Sequence, residues 1–582
     1  MFVPRRLVAS AVAAFSLLAA ACNSDSATEP TATPVIGASS TATSSSVVRI
    51  TFNSKAGDTG YNIERAEGAA GSFAQVGSVA PPATVGTVTY SDAGLKVTTL
   101  YRYRIVTVRG STTSMPSAEL SVTTLAFGNA AADLTTDITA NRTLYADTAY
   151  TLKGFIHVAN GATLTIQAGT TIKGDFNSLG SSLFILRGAR IQAVGTAAAP
   201  IVFTSSRAAG QRQPGDWGGL IIVGNALINR SGVVELEGSA TDGQTVVGGK
   251  NYQVLYSGGT TQSDNSGTLS YVRVEFAGFA PSLNNELNTF SFAAVGSGTR
   301  ISYLQAMAGL DDSFEFWGGA LDGDHLVSYE AADDHFDMSE GFSGRLQYLI
   351  SLQSTVLTPR TGAGSPSSDP QGIENDGCAG SGCDLAFNST PLTIPVVANF
   401  TLIGTGDVAT SGSSGGVGMM LRRGTGGYYV NGVVARFPRA GISVRDADTY
   451  VRAGSVATPD LATADFAIRN VLVSDVAGVV FQAAAGSTVQ NSFDLVGNSI
   501  TNSTAAAATL FTALHAAGGT PTVAGLDWAP ATGSPIATGG LAAFTDKLAT
   551  KAGTFITGTT YQGAAAPGGT KWWNGWTVYT RN

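Results

Sequence analysis

Two acidic runs carry most of the chemical promise in this 582-residue chain. Asp311-Asp312-Ser313-Phe314-Glu315 returns as Asp333-Asp334-His335-Phe336-Asp337, a shift of 22 residues. With the two runs on neighbouring strands, Phe314 and Phe336 stack inward. Period-2 alternation then sends Asp311, Ser313 and Glu315 outward, with Asp333, His335 and Asp337 above or below them. Carboxylates ~4.8 Å apart repel by roughly 1–3.5 kcal/mol at effective dielectrics of about 80 to 20. A bound cation, a raised pKa on one member, or side chains splayed into water relieves that cost. Glu374 and Asp376 in GIENDG extend the column, past a Ser/Pro/Gly-rich insertion at 357–372.

Three chemistries compete for these acids. In the first they cap turns, accept from neighbouring backbone N–H groups and keep a β-structure soluble. In the second, Asp311, Glu315, Asp333 and Asp337 form an all-oxygen metal site, which suits Ca²⁺ better than zinc. In the third, Glu315, Asp333 and Asp337 are the paired carboxyl groups that glycoside hydrolysis uses, although the Arg or Lys base of a lyase is missing nearby. His325 and His335 are too close in sequence to share a side, so no two-His zinc site is expected. Asp311 and His335 would also touch a ligand. Trp217 in GDWGG is either a sugar-stacking platform or a cover for the core at a tight corner. His157 and His515 have no acid–nucleophile neighbours, and SGSSGGVG at 411–418 lacks the Lys of a phosphate loop. Cys378 and Cys383 in CAGSGC suit a local disulfide pinning a Gly-rich loop.

A column of acids needs a fold that returns at near-regular intervals. From about residue 136, LSYVRVEFAG (269–278), ISYLQAMAG (301–309), HLVSYEAAD (325–333) and LQYLISLQ (346–353) recur at roughly one coil of 20–30 residues. TLTIQAGTTIKG (163–174) matches LFILRGARIQAVG (183–195) at a shift of 19, with Gly169 on Gly188. No unit could bury its apolar face alone, whereas stacking makes a continuous core. Helical periodicity is scarce, which removes a βαβ fold, and the Asn-Gly turns of tandem hairpins are rare. The pattern predicts an all-β chain with a right-handed parallel β-helix over 126–582, about 15 coils long. Trp572, Trp573 and Trp576 are expected to form a C-terminal cap against end-to-end stacking.

The runs NGATLTIQAGTTIKGD, AAPIVFTSS (198–206), PGDWGGLIIVGNA (214–226), NNELN (284–288) and WWNGWTVY (572–579) resemble a family of bacterial surface β-helix proteins. Members of that family often carry lipoprotein signals and accessory sandwich modules. The resemblance implies an architecture and a location and transfers no catalytic residues.

Residues 46–125 hold six short alternating strands broken by Gly, Pro, Asp and Ser, the spacing of a small β-sandwich. DAGLKVTTLYRYRI places Leu95 six residues before Tyr101, and the stretch resembles a fibronectin type III domain. Ile50 and Phe52 stand where that family usually has Trp. Upstream, Arg5 and Arg6 precede a small-to-apolar run, Leu7 to Ala21, which reads as a secretory signal over 1–21. Ala19-Ala20-Ala21-Cys22 resembles a bacterial lipobox, which implies lipidation of Cys22, and Asn23 favours delivery to the outer membrane. Residues 22–45 read as a flexible Ser/Thr/Ala/Pro tether.

Composition narrows the function classes. The 33 Lys+Arg against 41 Asp+Glu, net −8, argue against nucleic acid as a partner. Three Cys cannot build a disulfide scaffold, and four His leave little room for a multi-metal enzyme. The expected protein is held at the cell surface by a lipid anchor in the membrane and binds glycans or other surface ligands without catalysis, with Ca²⁺ as its one expected cofactor. The alternative is a polysaccharide lyase or glycoside hydrolase.

Overall fold

The computed structural model describes residues 31–43, 45–125, 130–239, 254–282, 285–364, 369–410, 415–454, 462–482 and 500–579. The leader 1–21 and Cys22 lie outside the described residues. The chain divides into two units, 1–125 and 126–582, and is all-β with a parallel β-helix in the second.

Among the described residues of the first unit every strand pairing is antiparallel. One sheet joins Ser39–Ala42, Val47–Asn53 and Thr87–Ala93, and the other is centred on Gly60–Glu67 and Leu100–Arg109. Along Leu100–Arg109, Tyr101, Tyr103 and Ile105 are buried while the Arg residues between them reach solvent, as the alternation predicts. The Tyr101 hydroxyl accepts from the Lys96 backbone N–H at 3.0 Å, tying the preceding loop to the strand. The tether reading of 22–45 is corrected in part. Ser39–Ala42 pairs with Val47–Asn53, and Val35 is buried in the sandwich core. Backbone pairing and an apolar anchor hold this stretch despite its loop-like composition.

In the second unit a ten-stranded parallel sheet runs from Phe155–Val158 to Val479–Gln482, one strand per coil. Among the described residues, the ten strands of this sheet at ~4.8 Å spacing stack to about 43 Å, and Ala130–Leu134 and Ile500–Ser503 extend the larger sheet by one strand at either end. The repeat length is uneven: Glu374 lies beside Met420, because loops between strands lengthen that coil. Uneven loops also overturn the 19-residue match. Leu164 pairs with Ile191 and Ile172 with Phe203, so Gly169 and Gly188 turn at different corners. The 22-residue match holds, with Phe314 beside Phe336 and Glu315 beside Asp337. Inside, Phe290, Phe314 and Phe336 stack with centroids 5.0 and 5.3 Å apart.

On the larger parallel sheet, where Ala308 and Glu330 are also left-handed, the strands Gly267–Glu275, Arg300–Gly309, Asp322–Ala331 and Arg345–Leu352 each bend at one left-handed residue that carries a ring. These are Tyr271, Tyr303, His325 and Tyr348, with φ of 51°, 54°, 57° and 64°. Such backbone costs on the order of 1–3 kcal/mol at a bulky residue. The four rings stack across the coils at 4.4, 4.3 and 4.8 Å, which offsets part of that cost. The C-terminal tryptophans cover this ladder and do not cap the end of the stack. Trp572 meets His325 edge-on at 4.7 Å and Trp576 meets Tyr271 at 5.6 Å. Gln305 binds Val578 through both its amide groups, at 2.6 and 2.9 Å.

Candidate functional site

The ten-stranded sheet turns one column of side chains outward at each second position. Ser291, Glu315, Asp337 and Glu374 follow one another in register across the coils Phe290–Ala293, Phe314–Trp317, Phe336–Ser339 and Ile373–Asp376. Two positions along, Trp317 lies beside Ser339, and Asp376 beside Arg422.

The turns leading into these strands use their paired acids both to cap neighbouring coils and to line a cavity. Asp312 accepts from the Asp334 backbone N–H at 2.7 Å, and Asp334 accepts from the Gln371 N–H at 2.7 Å. Gln371 continues the ladder by accepting from the Val417 N–H at 2.8 Å. Asp312 and Asp334 therefore cap neighbouring coils. Asp311 and Asp333, one residue earlier, line a cavity of about 360 Å³ together with Asp312, Glu315, Asp337, Glu374 and Asp376, and Asp333 also accepts from the Asp369 N–H at 3.2 Å. Glu237, Glu286, Asn288, Trp317 and Glu340 complete its wall, and Arg422 and Arg423 are its cationic residues.

Crowding and burial raise several of these acids. Burial pushes Asp311 well above the usual carboxylate range, with Asp333 adding to it. Glu315 rises through burial and then through Glu237 and Asp337; Asp337 rises through burial and then through Glu374 and Asp376. Glu374 is raised to about 8 by burial and Asp376, against the pull of Arg422. Arg422 donates to Asp376 at 2.8 Å and also to Glu374, and Arg423 donates to Asp376. Opposite, Glu340 binds Arg230 and the Tyr256 hydroxyl, each at 2.6 Å.

Three trios bring one carboxylate oxygen from each member within 4.8 Å of the others: Asp311–Asp312–Asp333, Asp312–Glu315–Asp337 and Asp334–Asp337–Glu374. Asn288, only 1% exposed, gives its amide N–H to Glu315 and leaves Oδ1 without a partner. Asp337 Oδ1 is likewise buried and bare. Carboxylates plus a free amide carbonyl are the donors a hard divalent cation takes, and they fit Ca²⁺. The same crowding can hold one carboxyl protonated beside an ionised one.

Of the residues expected at this site, Asp311, Glu315, Asp333 and Asp337 converge, and Glu374 and Asp376 extend the column. His335 and Trp217 do not join them. His335 is 1% exposed, its Nδ1 2.5 Å from Ser328 Oγ, and burial pushes its pKa down to about 3. It precedes the first strand residue, Phe336, so strand alternation does not govern it. Trp217 is fully buried and donates from Nε1 to the Glu275 carbonyl at 2.8 Å. Gly174 makes room for it, since a Cβ there would come within 2.2 Å of the Trp217 Cβ. Trp217 is thus the corner filler and offers no platform. Trp317 is the aromatic residue on the cavity, legible as the next outward position after Glu315. Glu286 and Asn288 lay unread in NNELN, and Arg422 and Arg423 in the adjacent pair of MMLRRG. Beside the cavity, Cys378 and Cys383 form the expected disulfide.

The profile of the pectate-lyase-like β-helix domain matches residues 136–519. Among solved structures, the chain is similar to titin kinase and its flanking domains at 22% identity and TM-score 0.14, over 16% of this chain and 17% of that one. An Fn3-like protein from Clostridium thermocellum matches at 21% identity and TM-score 0.14, over 16% and 92%. A family 28 exopolygalacturonase from Yersinia enterocolitica matches at 10% identity and TM-score 0.16, over 81% and 99%. The chain spans 17% to 32% of the titin and twitchin structures that it matches. No curated protein matches it.

Proposed function

The chain belongs to the pectate-lyase-like β-helix family, and from that premise we propose that its acidic cavity holds Ca²⁺ and through it binds an acidic glycan. The observation that carries this reading is the pair of bare, buried oxygens, Asn288 Oδ1 and Asp337 Oδ1, among crowded carboxyl groups. A cation there satisfies both and removes mutual repulsion, and its remaining coordination positions accept a sugar carboxylate. Trp317 supplies an apolar face against which a ring can rest. The leader motif extends the proposal to a lipid anchor on Cys22 and an outer-membrane address.

The experiment is calorimetry of the EDTA-stripped chain, first with CaCl₂ and then with polygalacturonate. Calcium should bind, the polymer should bind only afterwards, and Asp337→Asn should weaken both steps. Absence of calcium heat in the wild-type protein refutes the cation site. A second reading is favoured by the raised pKa of Glu315 beside Asp337: a protonated carboxyl acting as general acid on a polyuronide, with Asp333 or Asp337 as its ionised partner. It predicts reducing ends released from the polymer and lost in Glu315→Gln, whereas the binding reading predicts none.

A further inference from the structure

Arg436 follows the short strand Val433–Ala435, one coil beyond the one that carries Arg422, and lines a different cavity from the acidic one. Its side chain is 2% exposed, yet Nε and Nη1 have no hydrogen-bond acceptor. The Asp475 carboxylate stands 3.9 Å from Nε, beyond hydrogen-bond reach, and accepts instead from the Ala507 N–H at 2.9 Å. A desolvated guanidinium without acceptors is costly, and an oxyanion is the partner its planar fork fits. Arg436 lines a cavity of about 440 Å³, within the range of small-ligand sites. Gly406 keeps space beside it: a Cβ at that position would come 2.9 Å from Arg436 Cγ. Around the same cavity, Asn502, Ser503 and Thr504 offer polar groups, Val476 and Val480 form an apolar wall, and Asp475, held by the Ala507 N–H, adds one carboxylate. A cation, hydroxyl and amide groups, and one apolar side match an acidic sugar, whose ring carries both polar and apolar faces.

We propose that this cavity is a second carbohydrate subsite, binding one sugar unit that bears an oxyanion, with Arg436 holding the carboxylate or sulfate. The assignment is independent of the calcium site. Thermal-shift and calorimetric titrations of the full chain are run in EDTA, so that no cation bridges a ligand to the acidic cavity. The probes are galacturonic acid, galactose 6-sulfate, galactose and sodium sulfate. One or both anionic sugars should bind and raise the melting temperature, and the responses to the two distinguish carboxylate from sulfate. Galactose should not bind. Arg436→Met should weaken binding on the order of ten- to a hundredfold. Asn502→Trp, at an exposed position, should block the mouth of the cavity without disturbing the buried cation, and it stands in if Arg436→Met fails to fold. The proposal is overturned by silence of the wild-type protein towards both anionic sugars, by undiminished binding in either variant, or by galactose binding equally well. Sulfate alone binding as tightly as the sugars would reveal an adventitious ion only.

Discussion

Glu374→Gln tests the electrostatics of the acidic cavity directly. Glu374 is 7% exposed and stands beside Asp337 in the trio Asp334–Asp337–Glu374. Its pKa rises from 4.5 to about 8 in the folded protein. Because the folded state holds the proton more tightly, it binds more protons than the unfolded chain between those values. The protonated carboxyl therefore contributes stability that is fully present below pH 4.5 and is lost as pH climbs through about 8. The ceiling on this loss is about 5 kcal/mol, at about 1.4 kcal/mol for each tenfold gain in proton affinity, and proton sharing with Asp337 and Asp376 lowers it. For a domain of this length, about 1 kcal/mol moves the melting temperature by about 1 °C, so the span is at most about 5 °C. Gln keeps the shape and an acceptor for Arg422, so the variant should match wild type near pH 4.5. In EDTA it should be more stable by a few degrees at pH 8. Calcium should raise the wild-type melting temperature most at high pH and the variant's less. The assay is thermal unfolding from pH 4.5 to 8.5, with EDTA or with calcium. If wild type in EDTA holds or gains stability as pH rises, or if the variant shows the same slope, burial and crowding do not set the protonation of this site.

Other residues carry their own expectations. Trp217→Ala should cost about 3–5 kcal/mol in urea unfolding through the cavity it leaves in the core, while calcium affinity measured on the folded fraction stays close to wild type. His335→Ala should destabilise by about 2–4 kcal/mol at pH 7, and, since burial lowers its pKa from 6.5 to about 3, this residue should make wild type lose stability as pH falls below about 6.5 in urea unfolding, a step that the variant lacks. Intact-mass analysis of membrane-extracted protein should show a mature chain beginning at a lipidated Cys22; an unmodified mature N-terminus elsewhere refutes the anchor.

Sequence periodicity alone carried the class of fold and the centre of the site. Alternating residues in 46–125 predicted the strands of the sandwich, because a half-buried strand repeats its solvation every second residue. The matched runs at 311–315 and 333–337 predicted that Glu315 and Asp337 sit side by side, which they do, because no loop insertion separates those two coils. Where loops vary, identity of short motifs misleads: the Gly169 and Gly188 turns look equivalent, yet hydrogen bonding across the coils assigns them to different corners. His335 lies before the strand begins, so only the packed turn decided that it faces Ser328 and not the acidic cavity. Trp217 and Trp317 are alike as residues, and their opposite fates depend on which side of the wall each backbone position presents. The remaining cavity wall, Glu237, Glu286, Glu340 and the Arg422–Arg423 pair, comes from other coils and loops. Local chemistry along the chain dictated what each coil buries, and only the register of one coil on the next could decide which distant charges meet, because that register depends on loop lengths and packing summed over the whole stack.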